Sequence, residues 1–97
     1  MTVPRGTVSR ETWREVPSAP GYTVSDYGRV RSPSGKLIGR ASHVRGYVRV
    51  CIAGGRQVMV HQLVAEAFLG PAEGRRVRHI DSSDPTNNRL DNLRYGL

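Results

Sequence analysis

The sequence predicts a small α+β fold, with short antiparallel strands and a hairpin packed on one central helix. Three observations predict it. Apolar and polar residues alternate through "GYVRVCI", the two-residue period of a strand with one buried face. Val60, Leu63, Val64, Ala67 and Phe68 then fall on one stripe at helical spacing. Eleven Gly and six Pro among 97 residues, with 37% hydrophobic residues, favour short strands and tight turns over long helices. The length is that of one domain, or of two very small modules sharing a core that buries about two-thirds of the unfolded surface.

The first ten residues are polar, with Pro4 and Gly6, and read as a loose arm. "ETWREV" is too short to assign to helix or strand, and its Trp13 is expected to anchor the core rather than stack on a base. "GYTVSDYGRVRS" reads as two strands, Tyr22–Ser25 and Arg29–Ser32, joined by a turn at Asp26-Tyr27-Gly28. A second turn at "SPSG" leads to a short strand near Lys36–Arg40. In the hairpin, Val48, Val50 and Ile52 alternate with Tyr47, Arg49 and Cys51, and Gly54-Gly55 supplies the positive φ of its turn. A two-residue loop would set Ile52 opposite Gln57 and Val50 opposite Met59. A three-residue loop, Gly54–Arg56, would set Ile52 opposite Val58 and Val50 opposite Val60. Matching apolar residues on one face favours the second, with a bulge.

The helical stripe ends at Gly70-Pro71, and this helix is expected to pack on the hairpin. "AEGRR" follows as a surface loop, and "VRHI" as a short strand. "DSSDPTNN" reads as a rigid loop of Asx and Ser turns around Pro85, and "RLDNLRYG" as a turn that becomes a strand ending at Tyr95. There is no internal repeat and no low-complexity tract.

The net charge is +7, and its placement is uneven. Three Arg balance three acids from Met1 to Asp26, and five Arg balance five acids from Glu66 to Leu97. The stretch Tyr27 to Ala65 carries six Arg and Lys36 with no acid, so the whole excess lies there. Fourteen of the fifteen cations are Arg, the side chain suited to bidentate contact with phosphate or guanine. Double-stranded DNA is the expected partner, with Arg29, Arg31, Arg40, Arg45, Arg49 and Arg56 as contacts; His43 is a polar loop residue or a phosphate contact. RNA is less favoured, because no aromatic-rich stacking strand occurs. No apolar run approaches the roughly 20 residues that span a membrane, so no membrane partner is expected. The lone Cys51 cannot form an intrachain disulfide, and no Cys cluster of the kind that holds zinc is present; a reduced, cytoplasmic setting follows as the expectation.

"VHQLVAEAFLGP" and "VRHIDSSDPTNNRLDNLRYG" together resemble the HNH endonucleases of phages and mobile introns, and "ETWREVPSAPGYTVSDYGRVRS" is similar to the NUMOD-type module that often precedes this nuclease domain. The two resemblances span Glu11 to Gly96. They imply a DNA-binding module over residues 11–45 and an HNH-like nuclease domain over 46–97, with the C-terminal part of a ββα-metal motif. They further imply metal-dependent cleavage or nicking of DNA, with Mg²⁺ or Mn²⁺ as cofactor, in the cytoplasm of a bacterial or phage-infected cell. By position His79 is the general base, a role suited to imidazole with its ordinary pKa of about 6.5. Asn92 matches the Asn that orients the histidine ring, while Asp81, Asn87 and Asn88 hold the loop. His61 fits a motif position as a hydrogen-bonding fold residue. The sequence departs from the pattern at three points. Arg78 stands before the base, where many relatives carry an Asp or Asn metal ligand, and is expected to grip phosphate. The loop from His79 to Asn92 is one residue longer, and the metal-site helix is expected beyond Leu97. The metal ligands are not identifiable. The alternative is a non-catalytic DNA-binding regulator or accessory subunit on the same scaffold.

Overall fold

A computed structural model of the chain describes residues 11–41, 47–81 and 83–96, with Arg40 and Ala41 described by their backbone alone. The arm at residues 1–10, His43 and Arg45 lie outside the described residues. Strands β1 (Trp13–Val16), β2 (Ala19–Ser25), β3 (Val30–Arg31) and β4 (Leu37–Ile38) form one antiparallel sheet in that order. The turn between β2 and β3 lies at residues 26–28 as expected, with Gly28 at φ 88° donating to the Ser25 carbonyl at 2.9 Å. Of the cross-strand pairs, Val24 and Val30 are buried, while Thr23 and Arg31 are partly exposed on the other face.

Trp13 does not anchor the core. It is half-buried, and Arg31 and Arg29 stand over its ring at 4.0 and 5.9 Å, so the indole serves as a platform for guanidinium groups. The strand expected near Lys36–Arg40 is two strands, because the chain leaves the first sheet at Gly39 (φ 139°). Beyond it β5 (Arg40–Ala41) pairs with β6 (Val48–Ile52), which pairs in turn with β7 (Arg56–Met59).

The β6–β7 connection has three residues, but they are Ala53–Gly55, one position earlier than expected. Val50 therefore faces Val58 and Ile52 faces Arg56. The physical reason lies at Val60, which opens the helix and is no longer available to the strand. A slip of two residues preserves the face of every side chain, so Val50 and Ile52 stay buried.

Helix α1 (Val60–Leu69) ends at Gly70, whose φ of 89° no side-chain-bearing residue adopts readily, and Pro71 follows. Val60, Leu63 and Val64 are buried against Val50 and Ile52 on one side and against Val16, Ala19, Val24 and Val30 on the other; Ala67 and Phe68 pack at the edge. One core thus joins both sheets through the helix. A polar staple accompanies it: Ser18 donates its backbone N–H and its hydroxyl to the Glu66 carboxylate, at 2.7 and 2.8 Å. Strands β8 (Arg76–His79) and β9 (Leu93–Gly96) form a separate antiparallel pair, closed onto the core by buried Leu93 and by the Tyr95 hydroxyl, which donates to the Gly70 carbonyl at 2.7 Å.

Candidate active site

His79 ends β8 opposite Leu93, so the core fixes its backbone while its side chain reaches a cleft of about 240 Å³. The loop that follows is stiff for local reasons. Asp81 accepts from the Ser83 N–H and hydroxyl, and Asp84 from the Thr86 N–H and hydroxyl, each at 2.5–3.1 Å. These bonds hold the exposed Asp81 carboxyl below the usual carboxylate range, the Ser83 hydroxyl contributing most. Asn87 accepts from the Arg89 N–H at 3.3 Å.

Two asparagines are buried inside the loop, and their duties differ from the expectation. Asn92 Oδ1 accepts from the Asp81 N–H and its amide donates to the Asn87 carbonyl, both at 2.9 Å. Its side chain is consumed by holding the loop backbone. The contact to the imidazole comes from Asn88, whose Oδ1 lies 2.8 Å from His79 Nε2. A carbonyl oxygen only accepts, so Nε2 carries the proton, and in the neutral ring the lone pair is then on Nδ1.

The rings of Tyr47, His61 and His79 cluster at the cleft, His61 and His79 edge to face at 4.9 Å. His61 Nδ1 is buried with no hydrogen-bond partner among the described residues, so the fold-holding hydrogen bond expected of this side chain is not made there. Burial, and then the charge of His79, push the His61 imidazole down to about 4. Arg76 and Arg78 complete the wall, with Val77 and Pro85. Gly96 lets Arg78 lie close across β9, since a Cβ there would overlap the Arg78 side chain. A larger groove of about 1000 Å³ opens beyond Tyr47 and His61, lined by Met59, Gln62, Glu66, Arg75 and Tyr95, but it does not include His79.

Residues 58–96 match the HNH endonuclease family, and residues 11–53 match the NUMOD4 motif. Among solved structures, the chain is similar to one described as "DNA binding and cleavage by the HNH homing endonuclease I-HmuI", with 36% identity and a TM-score of 0.73. Family-model matches and structural similarity thus both point to the HNH endonucleases for residues 58–96, with a NUMOD4-like stretch before them. The match covers 88% of this chain and 52% of I-HmuI, so the chain spans about half the length of that relative. No curated protein sequence matches.

The two matched stretches divide between residues 53 and 58, within the β6–β7 hairpin, whereas the division expected at 45/46 falls between β5 and β6. HNH nucleases generally depend on a divalent metal. The described residues of this HNH domain do not fit one by themselves. No group of three His, Cys, Asp or Glu side chains gathers among them, Arg78 adds positive charge beside His79, and Asn88 Oδ1 is already committed to His79.

The expected DNA contacts are placed unequally. Arg49, Arg56 and Arg78 are exposed, and Arg56 donates weakly to the Ser18 carbonyl at 3.4 Å. Arg31 lies over Trp13. Arg29 is bound to Glu11, an acid outside the basic stretch; that hydrogen bond is the main cause holding the Glu11 carboxyl down. Arg40 sits opposite Arg49 in the sheet register. No helix among the described residues is long and apolar enough to cross a membrane.

The sequence reading missed the roles of Asn88 and Tyr47. Asn88 carries no periodic signal, and the alternation only set Tyr47 on the strand face opposite Val48, Val50 and Ile52. The pair "NN" in the loop was a hint that one amide turns inward, but only the folded loop decides which.

Proposed function

We propose that this chain binds double-stranded DNA and hydrolyses a phosphodiester bond in it, with His79 as general base. One observation carries the reading: the imidazole stands in an open cleft whose lining includes Arg76 and Arg78, and its Nε2 is held by buried Asn88. The similarity to I-HmuI, a homing endonuclease described as binding and cleaving DNA, supports the same reading. A water oxygen attacks phosphorus as His79 Nδ1 takes the water's proton. The P–O bond to the leaving sugar oxygen breaks, and that oxygen is protonated from solvent. Arg76 and Arg78 hold the non-bridging oxygens, where charge develops in the transition state. Asn88 fixes the tautomer, so the lone pair is on the nitrogen that needs it.

The test incubates supercoiled plasmid with the protein, with and without Mg²⁺ or Mn²⁺. His79→Ala is expected to slow nicking by about 10²–10⁴ while leaving the Kd for DNA unchanged. Equal nicking by both proteins removes His79 from the mechanism. A second reading, a DNA-binding protein without catalysis, is favoured by Arg78 standing beside the base and by the absence of a metal-ligand cluster among the described residues. DNA binding with no nicking by either protein would support it.

A further inference from the structure

The turn at residues 26–28 belongs to the NUMOD4 module, yet it presses on three successive residues of the nuclease loop. Gly28 packs against Asn88 so closely that a Cβ would lie 2.7 Å from both the carbonyl carbon and oxygen of Asn88. Arg89 lies over the Tyr27 ring at 4.2 Å. The Leu90 N–H donates to the Asp26 carbonyl at 2.8 Å. The turn is itself braced. The Ser25 hydroxyl accepts from the Tyr27 and Arg29 N–H groups at 3.1 and 3.2 Å, and Asp26 exchanges bonds with Thr12 at 2.9 and 3.0 Å. Asn88, the first residue of the clamped trio, is 3% exposed and holds the His79 ring.

We infer that Gly28 is a positioning residue for the reaction: the braced turn of the DNA-binding module sets the place of Asn88, and through Asn88 the orientation of the His79 imidazole. The inference rests on reading His79 as the base. It makes the module part of the apparatus that aligns the catalytic ring, in addition to any grip on DNA. Asn88 has no slack to absorb a displacement, because it is buried and its oxygen is within hydrogen-bond reach of the ring.

Gly35 supplies the control. Its φ is 89°, the same left-handed conformation as Gly28, but a Cβ there meets nothing within 4 Å. Gly35→Ala therefore reports backbone strain alone, and Gly28→Ala reports strain plus displacement of Asn88. Three readouts are compared: the imidazole NMR resonances of His79, kcat for plasmid nicking, and Kd for the same DNA. Gly28→Ala is expected to move the His79 resonances in the direction that Asn88→Ala moves them, and to lower kcat about tenfold or more with Kd unchanged. Gly35→Ala should do neither. Gly28→Ala combined with Asn88→Ala should be no slower than Asn88→Ala alone, since both act through one contact.

Unmoved His79 resonances in Gly28→Ala, matching behaviour of the two glycine variants, or multiplying losses in the double variant would each overturn the inference. If Gly28→Ala does not fold, Tyr27→Ala takes its place, removing the ring under Arg89 without altering the backbone; unmoved His79 resonances there would overturn it equally. If the unsubstituted protein does not nick DNA, the nuclease reading fails, while the resonances still decide whether the turn positions the ring.

Discussion

At the residue scale, His61 shows what burial does to an imidazole whose Nδ1 meets no hydrogen-bond partner among the described residues. Its folded-state pKa of about 4 lies below the ordinary value of about 6.5, so the native protein keeps the ring neutral. As pH falls from 6.5 toward 4 the unfolded chain takes up the proton first, and stability falls with it. Above pH 6.5 the contribution is fully present. Allowing for water at the rim of the cleft, the loss should be about 1–2 kcal/mol. Urea unfolding between pH 7 and 4.5 checks it. The curve for His61→Gln should be flatter than that of the unsubstituted protein, because Glu11 and Asp81 titrate alike in both and cancel in the difference. An identical pH dependence would show that His61 is not held neutral. The sequence marked His61 as a hydrogen-bonding fold residue at a motif position, but not that burial would leave its Nδ1 without a bond among the described residues. The motif singled out His79 as the candidate base, and the fold places its ring in the cleft. The choice between Asn88 and Asn92 was not legible, because it depends on which amide the folded loop turns toward the ring and which toward its own backbone.

The elements were more legible where they were long enough to show a period. Ten residues of α1 and five of β6 carry their face assignments openly, and both faces are buried as expected. Strands of two residues, such as β3, β4 and β5, have no period, and the passage from one sheet to the other at Gly39 left no pattern beyond a single glycine. The hairpin register was misplaced by two residues because the boundary between β7 and α1 is set by packing of Val60 rather than by local preference. The face assignment survives this and can be tested. Val50→Asp puts an unpaired charge under Leu63 and Val64 and should cost about 4 kcal/mol or more, enough to abolish the folded circular dichroism signal. Arg49→Asp, one residue away on the exposed face, should leave the spectrum intact and weaken DNA binding. If both variants unfolded, or neither, the assignment would be wrong.

On the scale of the whole molecule, the basic stretch is an electrostatic footprint whose strength depends on which cations are free to meet phosphate. If Arg31, Arg49, Arg56 and Arg78 each neutralise one, log affinity should fall against log salt with a slope of about −3 to −4. Glu11→Gln releases Arg29 and should steepen the slope by about 0.9. Titrations from 50 to 200 mM salt would measure both, and a flat dependence would remove the phosphate contacts altogether. The sequence located the charge excess but not the Glu11 counterion, which folding brings from eighteen residues away. The staple between Ser18 and Glu66, and the single core beneath it, have a consequence for how such proteins diversify. A NUMOD4 stretch recombined onto a different nuclease gene would arrive without its half of the interior, exposing Val16 and Val24 and leaving Ser18 without its acceptor. Replacing one stretch alone would therefore require new apolar residues to close the face left open on the other.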